Sequence, residues 1–328
     1  MDTIQKASKI FSENFPVDTC FERAIFYSWA CQLETCCKYC YMSTLPKEKR
    51  TKDKVRSTES LLAETVIAKA HGWDYGFLSG GIGVFNDDKI IDLLKQTNEI
   101  LKEKIWINIG ILSKEQIKKF KPYIKGIVGT VEVINKKLHD EICPSKPIKA
   151  VEKMFDDAKQ EGADCAMTLI IGLGETIDDF GLLKKFIEKH DIKKIHIYGL
   201  NPQKGTVFEK AKPPSAEYQA EWIAKTRIAF PKMDIQCGIW TDRVRRIALL
   251  LNAGANSISK FPIMKKFGSE EAKEIEIQAK IAKRKFNGTL TKIREKECYD
   301  VLEKSNIKNK EKVKEKIQEY LTTMKKTR

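Results

Sequence analysis

The chain has 328 residues, of which 42% are hydrophobic and 32% charged, so it can build a large core and is not expected to be disordered. No apolar run is long enough to span a membrane and the N-terminus carries no secretory signal pattern, so we expect a cytoplasmic protein with no membrane association. The net charge of +15 would suit a nucleic-acid partner, but the charges near the C-terminus alternate in sign, which is typical of solvated helix faces and makes nucleic acid an unlikely partner.

Short runs rich in β-branched and aromatic residues alternate with helix-period segments over the first 260 residues. Strands are predicted at Cys20–Trp29, Trp73–Leu78, Ile105–Ile109, Gly126–Val133, Ala166–Ile171, Lys194–Gly199, Met233–Ile239 and Asn256–Ile258. Helices are predicted between them at Ser57–Ala70, Asp87–Lys102, Lys114–Phe120, Ile148–Gln160, Ile177–Lys189, Ala216–Ala229 and Asp242–Leu251.

Eight strand–helix repeats in series predict parallel strands joined by right-handed crossovers. This number favours a closed (β/α)8 TIM barrel, with an open doubly wound α/β sheet as the alternative. After Phe261-Pro262 the alternation stops, and Ser269–Lys285 and Glu295–Met324 have helical patterns. We therefore predict a barrel domain over residues 1–262 and a charged helical C-terminal extension over residues 263–328, packed on or near the barrel.

Four of the nine cysteines lie between residues 31 and 40. An odd cysteine count without a secretory signal argues against a disulfide framework. Closely spaced thiolates on one loop suit an iron–sulfur cluster. A structural zinc site normally uses two short cysteine pairs, and the remaining cysteines are single. Three ligands from the loop after the first strand, with one open metal position, is the favoured interpretation.

This loop resembles that of the radical S-adenosylmethionine (radical SAM) enzymes, whose three cysteines follow the first strand as C-x3-C-x2-C with an aromatic residue before the third. Here Cys37-Lys-Tyr39-Cys40 fits the second interval, while Cys31 to Cys37 is longer and gives C-x5-C-x2-C. The resemblance implies that Cys31, Cys37 and Cys40 hold a 4Fe–4S cluster, that Tyr39 lies beside SAM, and that Cys36 is an additional thiol.

Further segments of the barrel resemble the SAM-binding motifs of this family. Ser79-Gly80-Gly81 follows the second strand, where the family has a Gly-Gly-Glu-type motif, although the glutamate is missing. Thr130 and Glu132 end the fourth strand, and the stretch from Thr168 to Thr176 resembles the fifth-strand motif of the family. The resemblance implies a SAM site that includes Ser79, Gly80, Gly81, Thr130, Glu132, Ile170, Gly172 and Glu175.

The resemblance implies an enzyme that reductively cleaves SAM to a 5′-deoxyadenosyl radical, acts on a small-molecule substrate and receives electrons from a donor such as ferredoxin or flavodoxin. The segments from strand five onward look most like biotin synthase and the hydrogenase maturase HydE. However, Trp106 and Ala166 stand where biotin synthase has cysteines for its second cluster. The C-x5-C-x2-C spacing resembles the HmdB-type proteins of the Hmd-type (mononuclear iron) hydrogenase cofactor pathway in methanogens, attributed to building the pyridinol of the iron–guanylylpyridinol cofactor.

Three further residues are candidates for the substrate cavity: His139 after the fourth strand, Tyr198 at the end of the sixth, and Arg243 after the seventh. A surface histidine and an aromatic core residue are the alternatives for the first two. Three other functions stay open: a HydE-like or biotin-synthase-like enzyme with another small substrate, an RNA-modifying radical SAM enzyme, and a non-catalytic zinc protein.

Overall fold

A computed structural model describes residues 2–45, 55–83 and 86–326 of the chain. Ten strands are present in these residues: β1 (Asp18–Cys20), β2 (Glu22–Phe26), β3 (Asp74–Ser79), β4 (Ile105–Asn108), β5 (Ile124–Glu132), β6 (Asp164–Ile171), β7 (Ile192–Gly199), β8 (Asp234–Gly238), β9 (Ser257–Ser259) and β10 (Lys285–Asn287). β2 to β9 form one parallel sheet in chain order. A parallel bridge from Phe21 to Ile258 joins its two outer ends. The sheet is thus a nearly closed barrel, and the predicted fold is confirmed.

Helices cover the outside of the barrel and one end. They are α1 (Thr3–Asn14), α2 (Thr58–His71), α3 (Asp87–Leu101), α4 (Lys114–Phe120), α5 (Lys136–Ile142), α6 (Ile148–Gln160), α7 (Phe180–His190), α8 (Ala216–Ala229), α9 (Ile247–Asn252), α10 (Ile263–Lys266), α11 (Glu270–Ile281), α12 (Glu295–Glu303) and α13 (Lys310–Lys326). Among the described residues no helix is long and apolar enough to cross a membrane.

Local sequence explains where the helices begin and end. The Ser57 side chain accepts a hydrogen bond from the Ser60 amide and so caps the N-terminus of α2. Gly72 ends the same helix with φ +72°, a left-handed conformation that glycine adopts without a steric cost. The main chain at Gly288 lies so close that a side chain at Gly72 would meet it at 2.8 Å.

Side chains fill the barrel axis instead of leaving a channel. Phe77, Trp106, Val128 and Ala166 form a separate buried cluster, and the ring of His196 packs edge-on against Phe77 at 5.1 Å. Neighbouring residues on a strand point to opposite faces, and Cys165 accordingly packs outward, where its sulfur lies 3.8 Å from the Phe155 carbonyl oxygen of α6.

The C-terminal segment packs on the outside of the barrel and at the N-terminal end of its strands. α13 and α12 lie on α2, and α11 lies on α9. β10 pairs in parallel with β1, which precedes the first barrel strand. Val313, Ile317, Leu321 and Met324 form the buried face of α13. The segment therefore braces the wall and the N-terminal end of the barrel, and the boundary at residue 262 stays a prediction.

Several predicted boundaries were wrong in detail. The first predicted strand is divided into β1 and β2 and ends at Phe26, because residues 27 to 29 already turn into the cysteine loop. The predicted helix from Asp242 begins as a 3-10 turn, Thr241–Arg246, before α9. The predicted helix over Ser269–Lys285 ends at Ile281, and Lys285 starts β10.

Candidate active site

The three candidate cluster cysteines line one cavity at the C-terminal ends of the barrel strands. This cavity, the mouth cavity, has a volume of about 220 Å³, and its wall includes Cys31, Cys37 and Cys40. Cys36 is buried against Cys31 and Met42 and is not in the wall. The structure thus brings together the three cysteines that the C-x5-C-x2-C pattern selected.

The glycine loop after β3 holds the cysteine loop in place. Gly81 lies so close to the Ala30 carbonyl that an added Cβ would be 1.4 Å from its oxygen. The Gln32 amide donates a hydrogen bond to the Ile82 carbonyl at 2.9 Å, and the Tyr27 hydroxyl donates to the Gly81 carbonyl at 2.9 Å. Because only glycine leaves room at this crossing, Gly81 helps to set the position of the cysteines in addition to lining the cavity with Ser79 and Gly80.

A charged pair, Glu132 of β5 and Lys146 of the segment after α5, faces the cysteines across the mouth cavity. Glu132 is buried and has φ +61°, an unusual backbone conformation for a residue with a side chain, at a bulge in the pairing of β5 with β6. Its carboxylate accepts a hydrogen bond from Thr168 at 3.2 Å and lies 3.4 Å from the Lys146 ammonium. Lys146 donates a second hydrogen bond to Thr130 at 2.7 Å. The pair puts two opposite, nearly water-free charges in the cavity wall.

The local charges prepare one cysteine for metal binding. A hydrogen bond from the Cys143 thiol lowers the pKa of Cys37 to about 7, against the effect of burial and with help from the Lys146 ammonium. Burial instead raises the pKa of Cys40 to about 12. Although burial alone would lower it, the negative charges at Cys37 and Glu132 raise the pKa of Lys146. Thiolates are the form in which cysteine binds metals, so Cys37 is close to its binding form near neutral pH.

Two of the predicted SAM-binding residues lie outside the wall of the mouth cavity. Ile170 and Tyr39 line the mouth cavity, but Gly172 and Glu175 do not. The Glu175 carboxylate turns back and accepts hydrogen bonds from the amides of Gly172 at 2.6 Å and Leu173 at 2.9 Å. The structure thus shows these two residues ordering the loop after β6, outside the wall of the mouth cavity.

Of the three substrate-cavity candidates, the structure places one in the wall of the mouth cavity. Tyr198 lies in the wall, and its hydroxyl donates to Gln236 at 2.9 Å. His139 is fully buried, with its ring nitrogens 2.7 Å from the carbonyl oxygens of Val131 and Lys146, so it braces the segment that carries Lys146. Its predicted position at the substrate is therefore wrong.

Arg243 is likewise corrected. Its guanidinium donates hydrogen bonds to the Leu200 carbonyl at 2.9 Å, the Asn201 side chain at 2.9 Å and Asp242 at 3.0 Å. These contacts hold the loop after β7, and Arg243 is not in the wall of the mouth cavity.

Sequence reasoning missed four polar residues of the mouth cavity: Asn108, Lys146, Thr168 and Lys260. Asn108, Thr168 and Lys260 lie at or near the C-terminal end of a strand, the end at which barrel enzymes place their sites, and this signal was available. Lys146 gave no such signal, because it lies beyond α5 and reaches the cavity only through the tertiary fold.

The residues present fit a 4Fe–4S cluster and SAM. A cube bound by three cysteines places each sulfur on a different iron, so the thiols need to surround a volume and need not meet at one point. Cys31, Cys37 and Cys40 line one common cavity, as such a cube requires. Within the described parts of the chain, no three His, Cys, Asp or Glu side chains are arranged to hold a single metal ion.

Comparison with known proteins gives the same result. The Radical SAM superfamily pattern matches residues 30–187. The chain is 35% identical to the uncharacterized protein MJ0597 of Methanocaldococcus jannaschii, over 98% of this chain and 92% of that protein. It is 28% identical to biotin synthase of Clostridium perfringens over 49% of this chain and 51% of that enzyme.

Two solved structures share the fold. The [FeFe]-hydrogenase maturase HydG superposes with a TM-score of 0.70 at 16% identity and covers 98% of this chain and 86% of its own. Methylornithine synthase (PylB) superposes with a TM-score of 0.68 at 20% identity and covers 78% of this chain and 76% of its own. With the cysteine motif, the barrel and these matches together, the chain belongs to the radical SAM superfamily and is an enzyme whose cofactors are a 4Fe–4S cluster and SAM.

Proposed function

We propose that this radical SAM enzyme acts in the biosynthesis of the pyridinol part of the iron–guanylylpyridinol cofactor of Hmd-type hydrogenase, in the cytoplasm of a methanogen. The observation that carries the proposal is the C-x5-C-x2-C spacing of Cys31, Cys37 and Cys40, which resembles that of the HmdB-type proteins. The substrate is a small molecule, and a low-potential carrier such as ferredoxin or flavodoxin supplies the electron.

The filled barrel axis supports this assignment against biotin synthase. Trp106 and Ala166 stand where that enzyme has ligands for its second cluster, and with Phe77 and Val128 they form a packed apolar layer. A second cluster would need thiolate ligands and space at this depth. We therefore place SAM and the substrate on the open side of this layer, in the mouth cavity and the space that adjoins it.

In this scheme the protein's own residues bind and orient SAM and the substrate. When bound, the cluster supplies the electron that splits SAM into methionine and a 5′-deoxyadenosyl radical. Glu132 and Lys146 offer one acceptor and one donor of opposite charge, which suit the amino and carboxylate groups of a bound amino acid moiety. Tyr198 and Phe77 form apolar walls that keep water from a reactive carbon.

A gene deletion in the host tests the proposed pathway. We expect the deletion strain to lose Hmd-type hydrogenase activity while it still makes the apoprotein, and we expect added extracted cofactor to restore activity in the cell extract. A complementing copy with Cys31→Ala should fail to restore the strain, and one with Cys36→Ala should succeed. Normal hydrogenase activity in the deletion strain would refute the pathway and leave another HydE-like reaction as the function.

A further inference from the structure

Lys260 is the first residue after the last barrel strand and projects over the mouth cavity. Its side chain lines both the mouth cavity and an adjoining cavity of about 340 Å³. Its ammonium lies 4.5 Å from the centre of the Tyr198 ring and 5.6 Å from that of Phe26. Lys260 therefore lies at the junction between the mouth cavity and the adjoining cavity.

Among the described residues the ammonium of Lys260 has aromatic neighbours but no carboxylate in direct contact, and Glu132 and Cys40 act on it only from a greater distance. In the described parts of the chain it makes no hydrogen bond and no ion pair, whereas Lys146 contacts Glu132 and the buried Lys194 contacts Asp234 at 2.8 Å. A cation that leaves water without a carboxylate partner is unfavourable. Burial accordingly lowers the pKa of Lys260 to about 8. Lys260 thus has no direct ion-pair partner among the described residues, and its ammonium is available to an anion in the cavity.

The backbone is shaped to place this side chain. Lys260 has φ +69°, a left-handed conformation that is costly for a residue with a side chain. Gly238, at the end of the neighbouring strand, leaves the necessary space, since a Cβ there would lie 2.4 Å from Tyr198 and 3.2 Å from Cγ of Lys260. Strain at one residue and an open position beside it indicate that this lysine is positioned for a ligand.

The adjoining cavity has aromatic walls. Phe26 and Trp29 stack with ring centres 4.9 Å apart and an angle of 8° between their planes, and Trp240 and Tyr41 also line the space. Trp29 remains 43% exposed, so the cavity reaches solvent. Flat aromatic walls favour a flat or apolar ligand body, and the lysine favours an acidic group on it.

We propose that Lys260 binds an acidic group, a carboxylate or a phosphate, of the substrate, and that the flat apolar body of that substrate lies against Phe26, Trp29 and Trp240. The substrate class is thus an acidic small molecule with a ring or another flat apolar part. This inference rests on the proposed function in one respect: it takes the mouth cavity to be the place where SAM is cleaved.

Binding of simple probes to the full chain tests the inference. Benzoate, phenyl phosphate and the neutral benzamide are titrated anaerobically by calorimetry into the reconstituted protein. We expect at least one of the two anions to bind about tenfold or more tightly than benzamide, and the tighter anion distinguishes a carboxylate from a phosphate site. Lys260→Met should remove this preference, whereas Lys118→Met, which changes an exposed lysine of α4 on the outside of the barrel, should keep it.

Three results would overturn the inference. Equal binding of the anions by the Lys260→Met variant and the unmodified chain would show that another group binds them. If Lys260 condenses with benzaldehyde to an imine that borohydride reduces to a stable secondary amine, and the anions do not compete with this reaction, Lys260 is a reactive amine instead of an ion-pairing one. Loss of SAM affinity in Lys260→Met to the same extent as anion affinity would place the lysine in the cofactor site. A chain that forms no cluster would instead refute the radical SAM reaction, and the probe titrations, which need no turnover, can still be compared in that case.

Discussion

Gly81 is the residue at which the glycine loop and the cysteine loop come closest. A Gly81→Ala change would put a Cβ at 1.4 Å from the Ala30 carbonyl oxygen, a main-chain atom that can move only if the cysteine loop moves. We expect a loss of about 3 kcal/mol in the free energy of unfolding, together with loss of most of the bound iron after reconstitution.

The control for this change is Gly181→Ala. Gly181 lies on the exposed face of α7 with no atom within 4 Å of an added Cβ, so the change should leave the iron content unaltered and stabilise the helix by up to about 1 kcal/mol. Urea denaturation and iron analysis check both variants. Full iron content in Gly81→Ala would contradict the positioning role of the crossing.

At the scale of single residues, the sequence predicted the site residues that belong to a short motif. It missed those that only the tertiary fold brings to the mouth cavity. Cys31, Cys37 and Cys40 were selected because their motif resembles that of the radical SAM family. Lys146 could not be selected among 60 lysines and arginines, because nothing local distinguishes a buried lysine from an exposed one. The position of Lys260 directly after the last barrel strand was a signal that was not used. His139 and Glu175 were placed at the cavity because their chain positions are correct, whereas the direction of each side chain is set by main-chain hydrogen bonds.

α2 connects the barrel to the C-terminal segment, and His71 at its end is part of that connection. The ring is fully buried, with Nδ1 2.9 Å from the Ile67 carbonyl and Nε2 accepting a hydrogen bond from the Arg294 amide at 3.2 Å. Burial lowers the pKa of His71 from 6.5 to about 4. The folded protein therefore keeps this ring neutral at a pH where the unfolded chain protonates it.

This difference predicts how stability changes with pH. Because the unfolded chain binds the extra proton, the free energy of unfolding should be highest above pH 6.5 and decrease as the pH drops toward 4. At pH 5 the decrease due to His71 alone should be about 2 kcal/mol. His196, whose pKa burial lowers to about 3, should add a similar amount. Urea midpoints at pH 7 and pH 5 measure the loss, and His71→Gln should reduce it by about 2 kcal/mol. An unchanged pH dependence in that variant would be inconsistent with a neutral buried ring.

At the scale of elements, long periodic segments were predicted well and short ones poorly. The helices α3, α6 and α8 appear where their patterns indicated, within a residue or two. β1 and β10 have three residues each, too few to show an alternating pattern, and exist because they pair with each other. The N-terminal α1 was not predicted, although Asp2 and Gln5 form a capping box at its start.

For the whole molecule, the C-terminal segment is expected to fold as one unit with the barrel. Val313, Ile317, Leu321 and Met324 of α13 are buried, and Arg56 donates a hydrogen bond to the Tyr320 hydroxyl at 2.9 Å. Ending the chain at Lys308 would expose the face of α2 that packs against α13 and remove the four buried side chains. We expect the free energy of unfolding to fall by about 6 kcal/mol from the loss of these four side chains alone. A truncated chain with the same thermal midpoint as the full chain would show that the segment is an independent addition.

The eight repeats determine the architecture of the whole molecule, and the architecture determines where the site lies. Parallel strands in chain order collect their C-terminal ends at one rim, so that the cysteine loop after β2, the glycine loop after β3 and Glu132 of β5 meet there. The sequence was sufficient for this arrangement. The filling of the axis by Phe77 and Trp106 depends on which face of each strand points inward, and it became visible only in the structure.

The central claim is that Cys31, Cys37 and Cys40 hold a 4Fe–4S cluster that binds SAM. The most direct measurement is EPR of the anaerobically reconstituted and reduced protein, with and without SAM. We expect a 4Fe–4S signal that shifts when SAM is added, disappears in Cys31→Ala, Cys37→Ala and Cys40→Ala, and persists in Cys36→Ala. A protein that takes up one zinc and no cluster, or a signal that survives Cys31→Ala and is lost in Cys36→Ala, would contradict the claim.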